Sequence, residues 1–256
     1  MANVPAATRA LSLLQVLAKA GAPMPAAAIA KKLGLPRSST HHLLSAMQSQ
    51  GFVIHFPEDQ RWALGISAFE LGSAYLRHDP MERLARPLLA KLVRDTEKKI
   101  PAVAQLGILQ NKDVLYLVKE VPHHPVTIVT DVGVRLPAHL TASGKAMLSQ
   151  LDAKQVRALF SNTRALGLRT DRGPDSVKQL VAELQADKQK GFALEDGYIS
   201  IGYSSIAVAV LNHLNLPVAS LALTYRTETA TAELQNFLVS ELQKQATELS
   251  KRLGHH

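Results

Sequence analysis

At 256 residues the chain is long enough for two domains, each with its own core. It has no cysteine, which excludes a disulfide framework and a cysteine-based zinc site; no apolar run reaches membrane-spanning length and no charged-then-apolar leader opens it, so a cytoplasmic protein with no membrane partner is expected. The formal charge of +8 favours a polyanionic partner, but the excess is spread, with a net of +3 over residues 1–80 and +5 over residues 81–256, so charge alone does not locate the contact.

Residues 6–20 carry Leu11, Leu14 and Leu17 at helical spacing, an amphipathic first helix. Residues 26–49, AAAIAKKLGLPRSSTHHLLSAMQS, read as two short helices joined by a tight turn. Gly34 supplies a turn position that a Cβ would strain, and Pro36 suits the first turn of the second helix. At about 100° per residue, Thr40, Leu43, Leu44 and Met47 fall on one side of that helix and pack on the first. Ser38, His42, Ser45 and Ser49 fall opposite, flanked by Ser39 and His41. A merely solvated face would favour Glu and Lys; hydroxyls and imidazoles without a carboxylate suit phosphates and base edges. This is how a helix-turn-helix reader of DNA is written.

Gly51 then stops the helix. Residues 52–54 and 61–64 look like short strands, with residues 55–60 as a hairpin tip, so the unit is a winged helix. Arg61 and Gln60 are the wing's candidate contacts, and Trp62 reads as a buried anchor of the wing. Residues 66–76 form a connecting helix ending near Asp79–Pro80. The expected division is 1–65 for DNA binding, 66–80 as linker and 81–256 as a second domain. There, residues 81–99 are a long amphipathic helix. Residues 101–110 and 114–120 are strands joined by a hairpin, residues 125–130 a third strand, and residues 205–211 and 218–225 two more. Helices are expected at 141–150, 153–160, 175–190 and 229–253. Hairpin-paired strands with helices between and at the ends describe an α+β fold with an antiparallel sheet.

Residues 136–146, LPAHLTASGKA, lead into a helix through small residues that would let a carboxylate approach the backbone N–H groups of Ala142 and Ser143. The segment is not a phosphate loop. His139 stands where GxxxxGK[ST] needs its first glycine, and Ala146 replaces the Ser/Thr that would meet magnesium. The adjacent pairs His41–His42, His123–His124 and His255–His256 lack the i, i+4 spacing of a metal site, so no metal or other cofactor is expected. Glu195–Asp196 lacks a nucleophile–base–orienter set, which argues against an enzyme.

Four stretches carry a family resemblance: Arg9–Ala10–Leu11 before an apolar helix, residues 33–44, the connection Leu64–Gly65 with Leu71–Gly72, and residues 136–146. From about Thr8 to Leu253 the chain resembles transcriptional regulators of the isocitrate-lyase-regulator (IclR) family. The resemblance implies an N-terminal winged helix, a linker helix and a C-terminal effector-binding domain with a GAF-like sheet. It also implies homodimers, often associating into tetramers, on palindromic double-stranded operators. His42 replaces the family's usual arginine and Thr40 a common aliphatic residue. Carried over by position, the effector pocket would take Ile128 and Leu136 as apolar walls and backbone from Ala142 and Ser143. Glu195 falls at an acidic position and Tyr203 at an apolar one. Ser205 replaces a common cysteine, and Ala222 and Thr224 match a pair usually rich in serine. The expected effector is a small organic acid, an aromatic acid ahead of a C2–C3 acid. Arg37 and Arg61 would hold phosphate while Ser38, Ser39, His41, His42 and Ser45 face bases or backbone. Two rivals stay open: a regulator whose second domain serves only assembly, and an enzyme of small carboxylic acids with a fused helical domain.

Overall fold

A computed structural model describes residues 4–78, 80–123, 131–161 and 166–255. The chain divides into two compact units, Met1–Asp79 and Pro80–His256.

The first unit holds α1 (Pro5–Ala20), α2 (Ala26–Leu33), α3 (Arg37–Ser49) and α4 (Ile66–His78). With them is a three-stranded sheet of β1 (Met24–Pro25), β2 (Val53–Phe56) and β3 (Arg61–Leu64) in the order β1-β3-β2. Its core joins Leu13 and Leu17 of α1, Ile29 of α2, Leu44 and Met47 of α3, and Val53 and Trp62 of the wing. Gly34 closes α2 in the left-handed region at φ 64°, and the Leu35 amide reaches back to the Ala30 carbonyl at 3.0 Å. Pro36 sits one residue earlier than expected: it is the N-cap of α3, extended at ψ 145°, and its carbonyl accepts the first helical bond from the Thr40 amide. Thr40 is fully buried, and its hydroxyl donates to the same carbonyl at 3.0 Å. A hydroxyl in place of an aliphatic group is therefore satisfied locally and leaves no polar atom stranded. The hairpin tip is shorter than the sequence suggests. His55 and Phe56 belong to β2, pairing with Trp62 and Arg61, so the turn is residues 57–60. Strand β1, too short to leave a periodic signal, pairs Met24 with Trp62 and Pro25 with Arg61.

The second unit is α+β. Helix α5 (Pro80–Glu97) precedes the hairpin of β4 (Val103–Gln110) and β5 (Asp113–Glu120). Next come β6 (Arg135–Pro137), α6 (Ala142–Leu148), α7 (Ala153–Leu159), α8 (Val177–Lys190), β7 (Ala193–Asp196), β8 (Tyr203–Leu211), β9 (Pro217–Arg226) and α9 (Ala232–Arg252). Among the described residues six strands pair antiparallel in the order β6-β5-β4-β9-β8-β7. The strand expected at residues 125–130 lies outside the described residues. The closing helix starts at Ala232, because Thr227–Thr229 forms a single 3₁₀ turn and Thr231 caps the helix by accepting the Leu234 amide.

Alternation along β9 separates two cores. Ala219, Leu221, Leu223 and Tyr225 pack with α5 and α9. Ser220, Ala222 and Thr224 point the other way, toward α6, which packs on β8 and β9. That contact is built from small residues: Ala142 and Ala146 of α6 meet Ala193, Ala207 and Ala222 of three strands. Behind them, a Cβ on Gly144 would lie 2.2 Å from the Ala138 carbonyl oxygen. The small residues of this segment thus let the protein's own backbone and sheet approach, a different use from the ligand access read from sequence. Leu136 and Met147 join Val156, Phe160, Leu180 and Leu184 in a further core between α6, α7 and α8.

Lys145, also on α6, is 3% exposed. Its Nζ donates to Glu183 Oε2 at 2.8 Å and to the Leu194 carbonyl at 3.0 Å, and lies 3.4 Å from Asp187 Oδ2. Burial works against this charge, but Asp187 and Glu183 outweigh it and the ammonium pKa is raised. One cation therefore ties α6 to α8 and β7.

Two substitutions test this clamp by thermal unfolding. Gly144→Ala forces backbone against backbone and should cost about 3 kcal/mol or more, the upper range of overpacking. Lys145→Met keeps the stem but strands two carboxylates, and should cost about 3–5 kcal/mol at neutral pH, with the loss shrinking as acid neutralises Asp187, whose pKa burial raises.

Candidate DNA-binding face and effector pocket

Helix α3 starts without a side-chain cap, and the Thr40 amide is the first to bond back along it, to Pro36. The amides of Arg37, Ser38 and Ser39 precede that first bond, at the positive end of the helix dipole. Arg37, Ser38, Ser39, His41, His42, Ser45 and Ser49 are all exposed, while Thr40, Leu44 and Met47 are buried. The helix contains no carboxylate. The outer side read from the sequence is thus the outer side of the folded unit. Lys31 and Lys32, exposed in the last turn of α2, add positive charge to the same unit.

In the wing, Gln60 adopts φ 52°, and its amide Nε2 donates to the Pro57 carbonyl at 2.8 Å. That bond closes the turn with the side chain expected to touch DNA. Arg61 is exposed and donates one N–H to the Pro23 carbonyl at 3.0 Å. A guanidinium carries five donors, so this bond orients the fork and leaves the others for an anion. Trp62 is buried, with its ring 4.5 Å from that of His55, as an anchor of the wing.

In the second unit, the strand registers Glu195↔Ser205 and Ser205↔Thr224 place three of the expected pocket residues side by side across β7, β8 and β9. Their side chains connect. Ser205 Oγ donates to Glu195 Oε1 at 2.9 Å, so the 3.0 Å contact with Thr224 Oγ1 takes its proton from the threonine, for which Gln105 Oε1 at 3.4 Å is the alternative acceptor. Gln105 of β4 was not expected here. Its signal is an amide in the interior of an apolar strand, on the face that alternation shares with Val103, the register partner of Thr224. Glu195 is 3% exposed, and its Oε2 accepts the Tyr198 amide at 3.0 Å. Burial raises its pKa to about 7, although the hydrogen bonds from Ser205 and from the Tyr198 and Ile199 backbone favour the ionised form. Tyr203 is half-buried near this row, with the Arg226 guanidinium 5.9 Å from its ring.

The remaining expected residues are placed differently. Leu136, Ala142 and Ala222 are packed in the cores described above. Ser143 is buried beside the Tyr116 phenol of β5, which burial pushes up to about 12. Thr141 caps the Gly144 amide at 3.0 Å. Ile128 lies outside the described residues.

Known proteins share this fold. A family model described as the IclR helix-turn-helix domain matches residues 6–54, and one described as the C-terminal domain of the bacterial transcriptional regulator IclR matches residues 73–251. The acetate operon repressor of Salmonella typhimurium is 29% identical over 224 residues, covering 87% of this chain and 80% of that protein. The HTH-type transcriptional regulator XynR of Escherichia coli is 29% identical over 248 residues, 96% of each. These relatives are named as regulators, not as enzymes. Among solved structures, an IclR-type regulator from Alicyclobacillus acidocaldarius superimposes with a TM-score of 0.84 at 24% identity, covering 98% of this chain and 99% of that one. An IclR homologue from Microbacterium hydrocarbonoxydans, solved with 4-hydroxybenzoate, gives 0.79 at 22% identity over 97% and 98% of the two chains. At such identities the superpositions speak for the fold, and the family models for membership: the chain belongs to the IclR family of bacterial transcriptional regulators.

Proposed function

We propose that this regulator binds palindromic promoter DNA as a homodimer, able to pair into a tetramer, and answers to a small organic acid held on the polar sheet face of its second unit. The observation that carries the DNA reading is the exposed, carboxylate-free side of α3 with Arg37 at its positive end. Two such helices, one per protomer, enter successive major grooves. Arg37 and the free donors of Arg61 bind phosphate, and Ser38, Ser39, His41, His42 and Ser45 face bases or backbone. Gln60 contributes by fixing the wing turn and presents its remaining amide edge.

Self-association is supported by α4, where Ile66 is 65%, Phe69 70% and Leu71 63% exposed. Ile66 and Phe69 are three residues apart and share one helical face. A second copy of the same helix would cover these side chains symmetrically.

The effector reading is supported by the row Glu195, Ser205 and Thr224 with Tyr203 beside it. Leu136, Ala142 and Ala222 are engaged in packing, and the polar side chains left to meet an acid are those of the row and Ser143. The aromatic Tyr203 and the 4-hydroxybenzoate held by the Microbacterium hydrocarbonoxydans homologue favour an aromatic acid over a C2–C3 acid. Control is a population shift: the ligand must bind one arrangement of the DNA-binding units better than another.

Arg37→Ala should weaken binding to every promoter fragment and reduce the slope of log K against log salt by about 1; an unchanged slope removes Arg37 from the phosphate contacts. Phe69→Glu should shift sedimentation from dimer toward monomer and weaken operator binding with it. A mutant that stays dimeric would place the self-contact elsewhere.

A further inference from the structure

Glu195 lies on the face of the sheet where the proposed effector binds. Its two oxygens are not equivalent. Oε2 accepts the Tyr198 amide, a donor that cannot turn round. Oε1 accepts from the Ser205 hydroxyl, which can. Among the described residues Glu195 is in no ion pair. The charged and titratable groups around it are Asp196 on its own strand, Tyr198 in the following turn, Tyr116 of β5 and Tyr225 of β9. Beyond Tyr198 stands Lys145, whose ammonium is held by Glu183 and Asp187 of α8, and Arg172 is paired with Asp196 at 2.9 Å.

A ligand carboxylate arriving here meets a buried carboxylate that has no cation of its own. Two adjacent carboxylates in a poorly solvated site do not both stay ionised. We propose that the acid effector binds together with one proton, which lodges on Glu195 Oε1 and turns the Ser205 hydroxyl from the protein's carboxylate to the ligand's. The inference rests on the effector reading above. The proton balance is simple. Ionised Glu195 holds the Ser205 proton, whereas protonated Glu195 donates to Ser205 Oγ and frees the Ser205 O–H for the ligand. Thr224 Oγ1, 3.0 Å from Ser205 Oγ, is the other acceptor within reach of that O–H, and the ligand carboxylate prevails over it because a charged acceptor makes the stronger bond. The raised pKa of Glu195 puts this exchange near neutral pH.

The test is isothermal titration of the full chain with benzoate, 4-hydroxybenzoate and propionate at pH 6, 7, 8 and 9, in buffers of different ionisation enthalpy. Above neutrality, uptake approaching one proton per ligand is expected, with affinity falling about tenfold per pH unit. Glu195→Gln should abolish both effects, since its amide donates permanently to Ser205, and should bind at pH 8 as the parent does at pH 6. Folding stability gives a reading without ligand. Glu195 titrates near 7 in the fold against an ordinary value of 4.5, so its contribution is fully present below about pH 4.5 and is lost as pH rises through 7. The melting temperature of Glu195→Gln should therefore gain on the parent between pH 5 and pH 8. Binding without pH dependence or proton uptake overturns the proton coupling and leaves the effector site standing. Failure of both proteins to bind any of the acids at any pH overturns both.

Discussion

The approach of α6 to the sheet is the contact on which the second unit depends. Gly144 touches the Ala138 backbone, and Ala142 and Ala146 rest on Ala193, Ala207 and Ala222. Larger side chains would lift the helix, and three consequences would follow. Lys145 would leave the carboxylates of α8, the core of Leu136 and Met147 would open, and Ser143 would move away from Tyr116. Close packing of small residues gives up hydrophobic area, and the Lys145 ion pairs and the flanking cores supply what the alanines do not. The short helix is held by its neighbours more than by its own propensity, as expected for a segment below the length at which isolated helices persist.

The first unit works by a division of labour within one helix. Leu44, Met47 and Thr40 anchor α3, and its opposite side is left to residues with short or neutral polar side chains. The arrangement tolerates a threonine in the interface because the hydroxyl bonds to a carbonyl four residues back, a bond that lies within the helix. The wing is braced twice, by Trp62 against the core and by Arg61 against the segment before β1. The guanidinium proposed to meet a phosphate is thereby already oriented.

Much of this was legible in the sequence, for identifiable reasons. Helical periodicity and the Gly34–Pro36 punctuation gave α2 and α3 almost to the residue, and Asn111 in the left-handed region at φ 57° closes the β4–β5 hairpin where its turn residues said it would. What escaped were elements too short for any period. Strands β1, β6 and β7 span two to four residues, and their existence is decided by partners distant in the chain. The row of the proposed pocket was half legible. Position pointed to Glu195, Ser205 and Thr224, and the register brings them together. It could not separate small residues that serve packing, such as Ala142 and Ala222, from those that could touch a ligand, because both needs select the same side chains. Gln105 was missed because it acts through Thr224, a contact more than a hundred residues away in sequence.

The buried indole of the wing has a practical corollary. Trp62 is the chain's sole tryptophan, seated under the β-ribbon with the His55 imidazole 4.5 Å away. Intrinsic fluorescence excited at the red edge of the aromatic band therefore comes from the DNA-reading half alone. Any change in that emission when a small molecule is added to the other half would be a direct optical record of communication between them, with no label attached.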